Sequence, residues 1–169
     1  TKDNWETLNY YLYEDIRLFG RTGFFLDSTS FVVPRTLQSN HLMKFDMETE
    51  KITQYSDTIP PPEGEEYLSM FDVCMANDTL GFACGDQLYG KGYFGRDIIY
   101  KTTDAGKTWE IIYKNLKEDT FGTEEIACAD ENHIIAIGNW QKILESTDGG
   151  ETWKYLEGDD GMTISMQIA

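Results

Sequence analysis

Two short stretches of this chain combine a carboxylate, two hydroxyls, a glycine and a tryptophan. Thr102, Asp104, Gly106, Thr108 and Trp109 form the first set; Ser146, Asp148, Gly150, Thr152 and Trp153 form the second, 44 positions later. An acid beside Ser or Thr is a combination used for metal binding and for nucleophilic attack. The spacing favours a structural role here. Asp104 and Asp148 are placed to accept hydrogen bonds from backbone N–H groups of their own turn. Gly106 and Gly150 can take positive φ at low steric cost. Trp109 and Trp153 bury a large ring beside the turn and need one acceptor for the indole N–H. Thr102 and Ser146 add a hydroxyl that ties the turn to a neighbouring strand. No catalytic residue, metal ligand or cofactor site is assigned.

The other reactive side chains carry weaker patterns. Cys74, Cys84 and Cys128 make an odd count, which does not suit a disulfide framework. If a hairpin turns at Asn77-Asp78, Cys74 faces about residue 81 and Cys84 about residue 71. Cys128 aligns with Met75 of the other copy. Three reduced, mostly buried thiols are therefore expected. His41 and His133 are isolated, with no partner at metal-ligand spacing, and His133 sits in a strand-like run. The run Glu157 to Asp160 offers oxygen ligands without the calcium-loop pattern, and reads as a solvated turn.

The elements that hold these residues repeat with them. Five of the eight positions in the two turns are identical, and a sixth exchanges one hydroxyl residue for another. A period of this size belongs to propellers and similar arrays. Phe71 to Asp86 also aligns without gaps to Glu124 to Asn139, each reading as strand, turn, strand. The turns are Ala76-Asn77-Asp78-Thr79 and Ala129-Asp130-Glu131-Asn132, with the Asn and Asp residues such turns favour. Two more strands flank each repeated turn, which gives four strands per unit, the blade of a β-propeller. The expected fold is all-β, a partial propeller of about three four-stranded antiparallel blades near 19–57, 68–115 and 122–157. Residues 163–169 read as the first strand of a further blade, and 1–18 are unassigned. The chain begins at Thr1 rather than Met, so a longer parent is expected, with the remaining blades coming from it or from assembly.

Both turns match the pattern Ser/Thr-x-Asp-x-Gly-x-Thr-Trp at every defined position. They resemble the Asp-box (bacterial neuraminidase) repeat, and the resemblance extends over roughly Met70 to Leu156. Propellers with this repeat include sialidases, other glycoside hydrolases, sortilin-like receptors and a photosystem II assembly factor, so the fold does not choose the function. In sialidase-like relatives ligands bind on the face away from the Asp-boxes. Strand alternation puts the b–c and d–a connections there. The first b–c connection is nine residues longer than the second, and carries Tyr89, Lys91, Tyr93, Phe94 and Arg96. Aromatics and cations in an insertion suit partner contact. The d–a connections, with Asp57, Glu63, Glu65, Glu66, Glu118, Asp119 and Glu157, should make that face acidic. Pro60, Pro61 and Pro62 stiffen one of them.

Charge narrows the function classes. Thirty acidic against fourteen basic residues give a formal net charge of −16. Such a surface repels nucleic acid and anionic lipid and favours cationic partners. No run of 18 apolar residues is present, so no membrane insertion is expected. The resemblance implies a non-catalytic recognition or scaffold propeller of an extracytoplasmic protein, binding a glycan or a protein partner. The alternative is part of a glycoside hydrolase propeller whose catalytic residues lie mostly outside this chain. Its arginines are only Arg17, Arg21, Arg35 and Arg96, and Pro34-Arg35 reverses the order of the sialidase Arg-Ile-Pro segment. An assembly factor of the photosystem type would be expected to carry a basic face, and this chain is acidic.

Overall fold

A computed structural model describes residues 23–34, 41–59, 69–86, 97–115, 122–138 and 142–156. These hold twelve strands and, among the described residues, no helix. The first sheet is β1 (Phe24–Asp27), β2 (Ser30–Pro34), β3 (Leu42–Asp46) and β4 (Lys51–Gln54). The second is β5 (Ser69–Met75), β6 (Gly81–Asp86), β7 (Asp97–Thr102) and β8 (Glu110–Lys114), and the third β9 (Thr123–Cys128), β10 (Ile134–Gly138), β11 (Ile143–Ser146) and β12 (Lys154–Leu156). Each is an antiparallel meander in chain order.

Side-chain alternation builds the layers. The middle sheet has a neighbour on both faces, so adjacent residues of β7 serve different cores: Ile98 and Tyr100 join Val32, Leu42, Met70, Val73 and Ala83 between the first two sheets. Ile99, one residue along, joins Phe82, Cys84, Ile126, Ile134 and Leu144 between the second and third. A strand read on both faces is apolar throughout, hence the run Ile98-Ile99-Tyr100. Each fully buried Ile or Phe stabilises by about 1.5–3 kcal/mol.

The hairpin turns are locally specified. Asn77 Oδ1 accepts from the N–H groups of Thr79 and Leu80 at 2.9 and 2.7 Å. Asp130 Oδ1 does the same for Asn132 and His133 at 2.7 and 2.8 Å. The register differs by one residue from the sequence reading: Cys74 pairs with Phe82, not 81, and Cys84 with Asp72, not 71. Five residues, Ala76 to Leu80, lie between the last paired residues Met75 and Gly81, which shifts the pairing. A bulge between Met70 and Asp72 then restores the phase.

The second and third sheets stack with like ends together. Asn77 and Glu131, both in a–b turns, are joined at 2.6 Å. Lys101 Nζ donates to the Gly149 carbonyl at 2.9 Å, joining the two c–d ends. At the other end Thr123 Oγ1 donates to the carbonyls of Gly85 and Ile98 at 3.1 and 3.3 Å.

The first sheet meets the second with its strand directions reversed. Tyr55, just past the end of β4, donates its hydroxyl to the Ala105 carbonyl at 2.8 Å. Asp57 N–H donates to the Lys107 carbonyl at 2.9 Å, and the Lys107 ammonium lies 3.7 Å from the Tyr55 ring centroid. Phe24 and Leu42, at the starts of β1 and β3, crowd Gly106. Asp57 was expected on the face away from the repeated turns and lies beside the first of them. Asp57 and Ser69, which opens β5 opposite Asp86, thus lie at opposite ends of the second sheet. Ile59 is 3% exposed in the core between the first two sheets.

Candidate functional site

The two repeated turns are superimposable networks. Asp104 Oδ1 accepts from Thr108 N–H at 2.9 Å and from the Thr102 hydroxyl at 2.8 Å, and Oδ2 accepts from the Thr108 hydroxyl at 2.6 Å. Thr102 Oγ1 in turn accepts from Gly106 N–H at 2.9 Å. Asp148, Thr152, Ser146 and Gly150 repeat these bonds at 2.9, 2.8, 2.5 and 2.9 Å. The indole N–H of Trp109 donates to the Gly106 carbonyl at 3.0 Å, and that of Trp153 to the Gly150 carbonyl at 3.1 Å. Each carboxylate is taken up by its own turn. The hydroxyl and amide of Thr152, with Ser146, hold Asp148 down to about 2. Burial raises Asp104, but its bonds from Thr108 and Thr102 outweigh that and leave it lowered.

Gly106 and Gly150 sit at φ of 83° and 89°. A Cβ on Gly150 would meet Ile112 Cδ1 at 2.5 Å, and one on Gly106 would meet Phe24 Cζ at 3.2 Å. Each turn is thus wedged against the preceding sheet. Both the torsion and the close approach require glycine.

The insertion bearing Tyr89, Lys91, Tyr93, Phe94 and Arg96 lies outside the described residues, as do residues 1–18, 60–68, 116–121 and 157–169. What the structure does place is the root of the insertion. Asp97 opens β7 and Thr102 closes it, so Asp97 stands about 17 Å from the repeated turn, at the opposite end of the strand. It is only 2% exposed. Its Oδ2 accepts from the Tyr155 hydroxyl at 3.1 Å. Tyr155 in turn accepts from Asn115 Nδ2 at 2.8 Å and from the Tyr113 hydroxyl at 3.3 Å. The backbone completes the cluster, with Asn115 N–H donating to the Asp97 carbonyl at 2.9 Å.

Burial pushes the Asp97 carboxyl up to about 6, against the opposing pull of Tyr155 and Lys142. Burial also raises Tyr155, and the neighbouring Tyr113 adds to it. Near neutral pH the site therefore holds a carboxyl near its titration point under a tyrosine that stays protonated. The Tyr155 side is open, 43% exposed. Asp97, Tyr113, Asn115 and Tyr155 carried no signal in the sequence. Asp97 and Tyr155 are 58 positions apart on different sheets. The one available hint was a lone acid opening the apolar strand that follows the insertion.

Comparison with known proteins bears on the fold. No protein-family model and no curated protein matches the chain. Among solved structures, YCF48 bound to D1 peptide is 18% identical with a TM-score of 0.54, covering 88% of this chain and 45% of that one. YCF48 from Cyanidioschyzon merolae is 16% identical with a TM-score of 0.54, covering 81% and 37%. The GH74 enzyme of Niastella koreensis is 15% identical with a TM-score of 0.50, covering 75% and 20%. The chain spans less than half the length of each of these structures. With three four-stranded antiparallel sheets matched to propeller proteins, the chain has the fold of a partial β-propeller.

Proposed function

We propose that this chain is part of a non-catalytic recognition or scaffold propeller that binds a protein partner through the face opposite its two repeated turns. In this reading the turns are Asp-boxes with a structural role, and the other face is the working one. The observation that carries it is the Asp97–Tyr155 cluster. It fixes the root of the aromatic insertion to the third sheet and leaves Tyr155 open beside it. An exposed tyrosine over a buried carboxyl suits a cationic or amide-rich segment of a partner. The net charge of −16 favours the same class. One structural neighbour, YCF48, is seen with a bound peptide, which agrees with a peptide-binding use of the fold. Placement outside the cytoplasm rests on the Asp-box resemblance.

Panning a random peptide library on the chain tests this. Enrichment of Lys- or Arg-containing peptides is expected. Their binding should be lost when Gly90 to Gly95 are deleted, with the melting temperature kept within a few degrees. Binding to a glycan array with no peptide enriched would transfer the site to a carbohydrate. Binding that survives both the deletion and Tyr155→Ala would remove the site from this face.

A further inference from the structure

β5 and β9 lie side by side with a constant offset. Asp72 Oδ2 accepts from Ile126 N–H at 2.9 Å, and Asn77 Nδ2 donates to Glu131 Oε1 at 2.6 Å; both pairs are 54 positions apart. Cys74 lies two residues beyond Asp72, and Cys128 two beyond Ile126, so the same offset sets one thiol against the other. The Cys74 and Cys128 side chains thus face each other where β5 meets β9. Both side chains pack on one apolar cluster with Phe82, Ile99 and Ile126. None of the three cysteines is in a disulfide; Cys84 is buried, and Cys74 and Cys128 are half-buried. Cys84 pairs with Asp72, which leaves it diagonal to Cys74 on the paired strands. Diagonal neighbours stand about 7–8 Å apart, beyond the reach of a disulfide.

We propose that Cys74 and Cys128 form an inter-sheet dithiol site that reacts with small-molecule disulfides and closes a Cys74–Cys128 bond between the second and third sheets. Cys128 is the attacking group. The adjacent Cys74 thiol holds Cys128 below the ordinary thiol range, whereas Cys128 and burial push Cys74 up. The Cys128 thiolate attacks one sulfur of the disulfide R–S–S–R. That bond breaks, and RS⁻ leaves with the electron pair and takes up a proton. Cys74 then gives its proton to solvent and attacks the Cys128 sulfur of the mixed disulfide, expelling the second RS⁻. Two protein thiols are oxidised and one small disulfide is reduced to two thiols. The product staples neighbouring sheets across 54 positions of chain, and so restrains the unfolded state more than a short loop would.

The test uses the 169-residue chain and oxidised glutathione. After incubation under native conditions, quenching and denaturation, titratable thiols should fall from three to one. The intact mass should drop by two hydrogens. Non-reducing peptide mapping should join the peptides that hold Cys74 and Cys128. The melting temperature should rise by roughly 5 °C or more and return on adding dithiothreitol. Cys84→Ala should leave the reaction intact, and Cys128→Ala should abolish it. Mapping of the wild-type chain needs no variant to fold. Three thiols remaining after oxidation that closes a reference dithiol would overturn the proposal. So would a bond that maps to Cys84 or between two molecules.

Discussion

Ser146 shows how much one hydroxyl can hold. It is 1% exposed, donates to Asp148 and accepts from Gly150 N–H. Ser146→Ala leaves the Gly150 amide buried with no acceptor. A buried donor stripped of its partner costs about 1–3 kcal/mol. The urea midpoint should fall accordingly, and Ser146→Thr, the residue found at the same place in the first turn, should restore it. A loss below about 0.5 kcal/mol would mean that water reaches the amide. Asp148 gives a separate, pH-dependent signature. Its folded value of about 2 lies below the ordinary 3.8. Its contribution is therefore complete above the unfolded value and is lost as pH falls from about 4 through 2. Asp148→Asn should flatten acid unfolding in that window. A variant whose acid limb matches the wild type there would show that the turn does not hold the carboxylate as drawn.

At the scale of the element, Asp97 behaves in the opposite sense. Burial lifts its folded value to about 6, above the ordinary 3.8. The neutral acid is the form that fits between β7 and β12. Its favourable contribution is present below the unfolded value and disappears as pH rises through 6. Asp97→Asn keeps an acceptor for the Tyr155 hydroxyl without the charge. The variant should gain melting temperature over the wild type as pH rises from 4 to 8, with most of the gain between about pH 4 and 6 and little beyond. A pH-independent difference would mean that Asp97 is already relieved of its burial cost.

Strands and turns were legible in the sequence because their causes are local. Asn77 and Asp130 cap their own turns, and the strands flanking each repeated turn appear as β7, β8, β11 and β12. Contacts between sheets obey a different arithmetic. The sequence copies align at an offset of 53, which puts Cys128 level with Met75. The sheets touch at an offset of 54, seen at Asp72 with Ile126, and this brings Cys128 to Cys74. Alignment of repeats superimposes blades, whereas contact between blades includes the stagger of one against the next. The Asp97–Tyr155 cluster was hidden for the same reason, since both partners look ordinary within their own strands.

At the scale of the whole molecule, the direction of the first sheet was the least legible feature. Asp46 caps the turn from Met47 to Glu50 through Thr49 N–H and Glu48 N–H at 2.8 and 3.1 Å, much as an acid caps the repeated turns. A third unit near 19–57 was expected to align with the other two, and this turn is alike in that respect. A capped turn, however, does not say which end of the next sheet it meets. The missing glycine and tryptophan are the physical difference: without them the turn has no ring to wedge against a neighbour. Instead the first sheet offers Phe24, Leu42 and Tyr55 to the turn of the second. Trp109 is 8% exposed in the core shared by these two sheets, whereas Trp153 packs on the core between the second and third. Removing residues 1–59 should then act on one tryptophan and spare the other. In a chain with Trp109 as its single tryptophan, the truncation should shift emission to longer wavelength, as the cover from Val32, Leu42 and Ile59 is lost. With Trp153 as the single tryptophan, emission should stay where it was, because its sheet neighbours all lie after residue 68. Strand content of the second and third sheets should persist in far-ultraviolet circular dichroism. Unchanged Trp109 emission would show that the first sheet does not cover this ring, and would overturn the reversed packing. A shift of both tryptophans, with the β signal lost, would show instead that the second and third sheets depend on the first for their own fold.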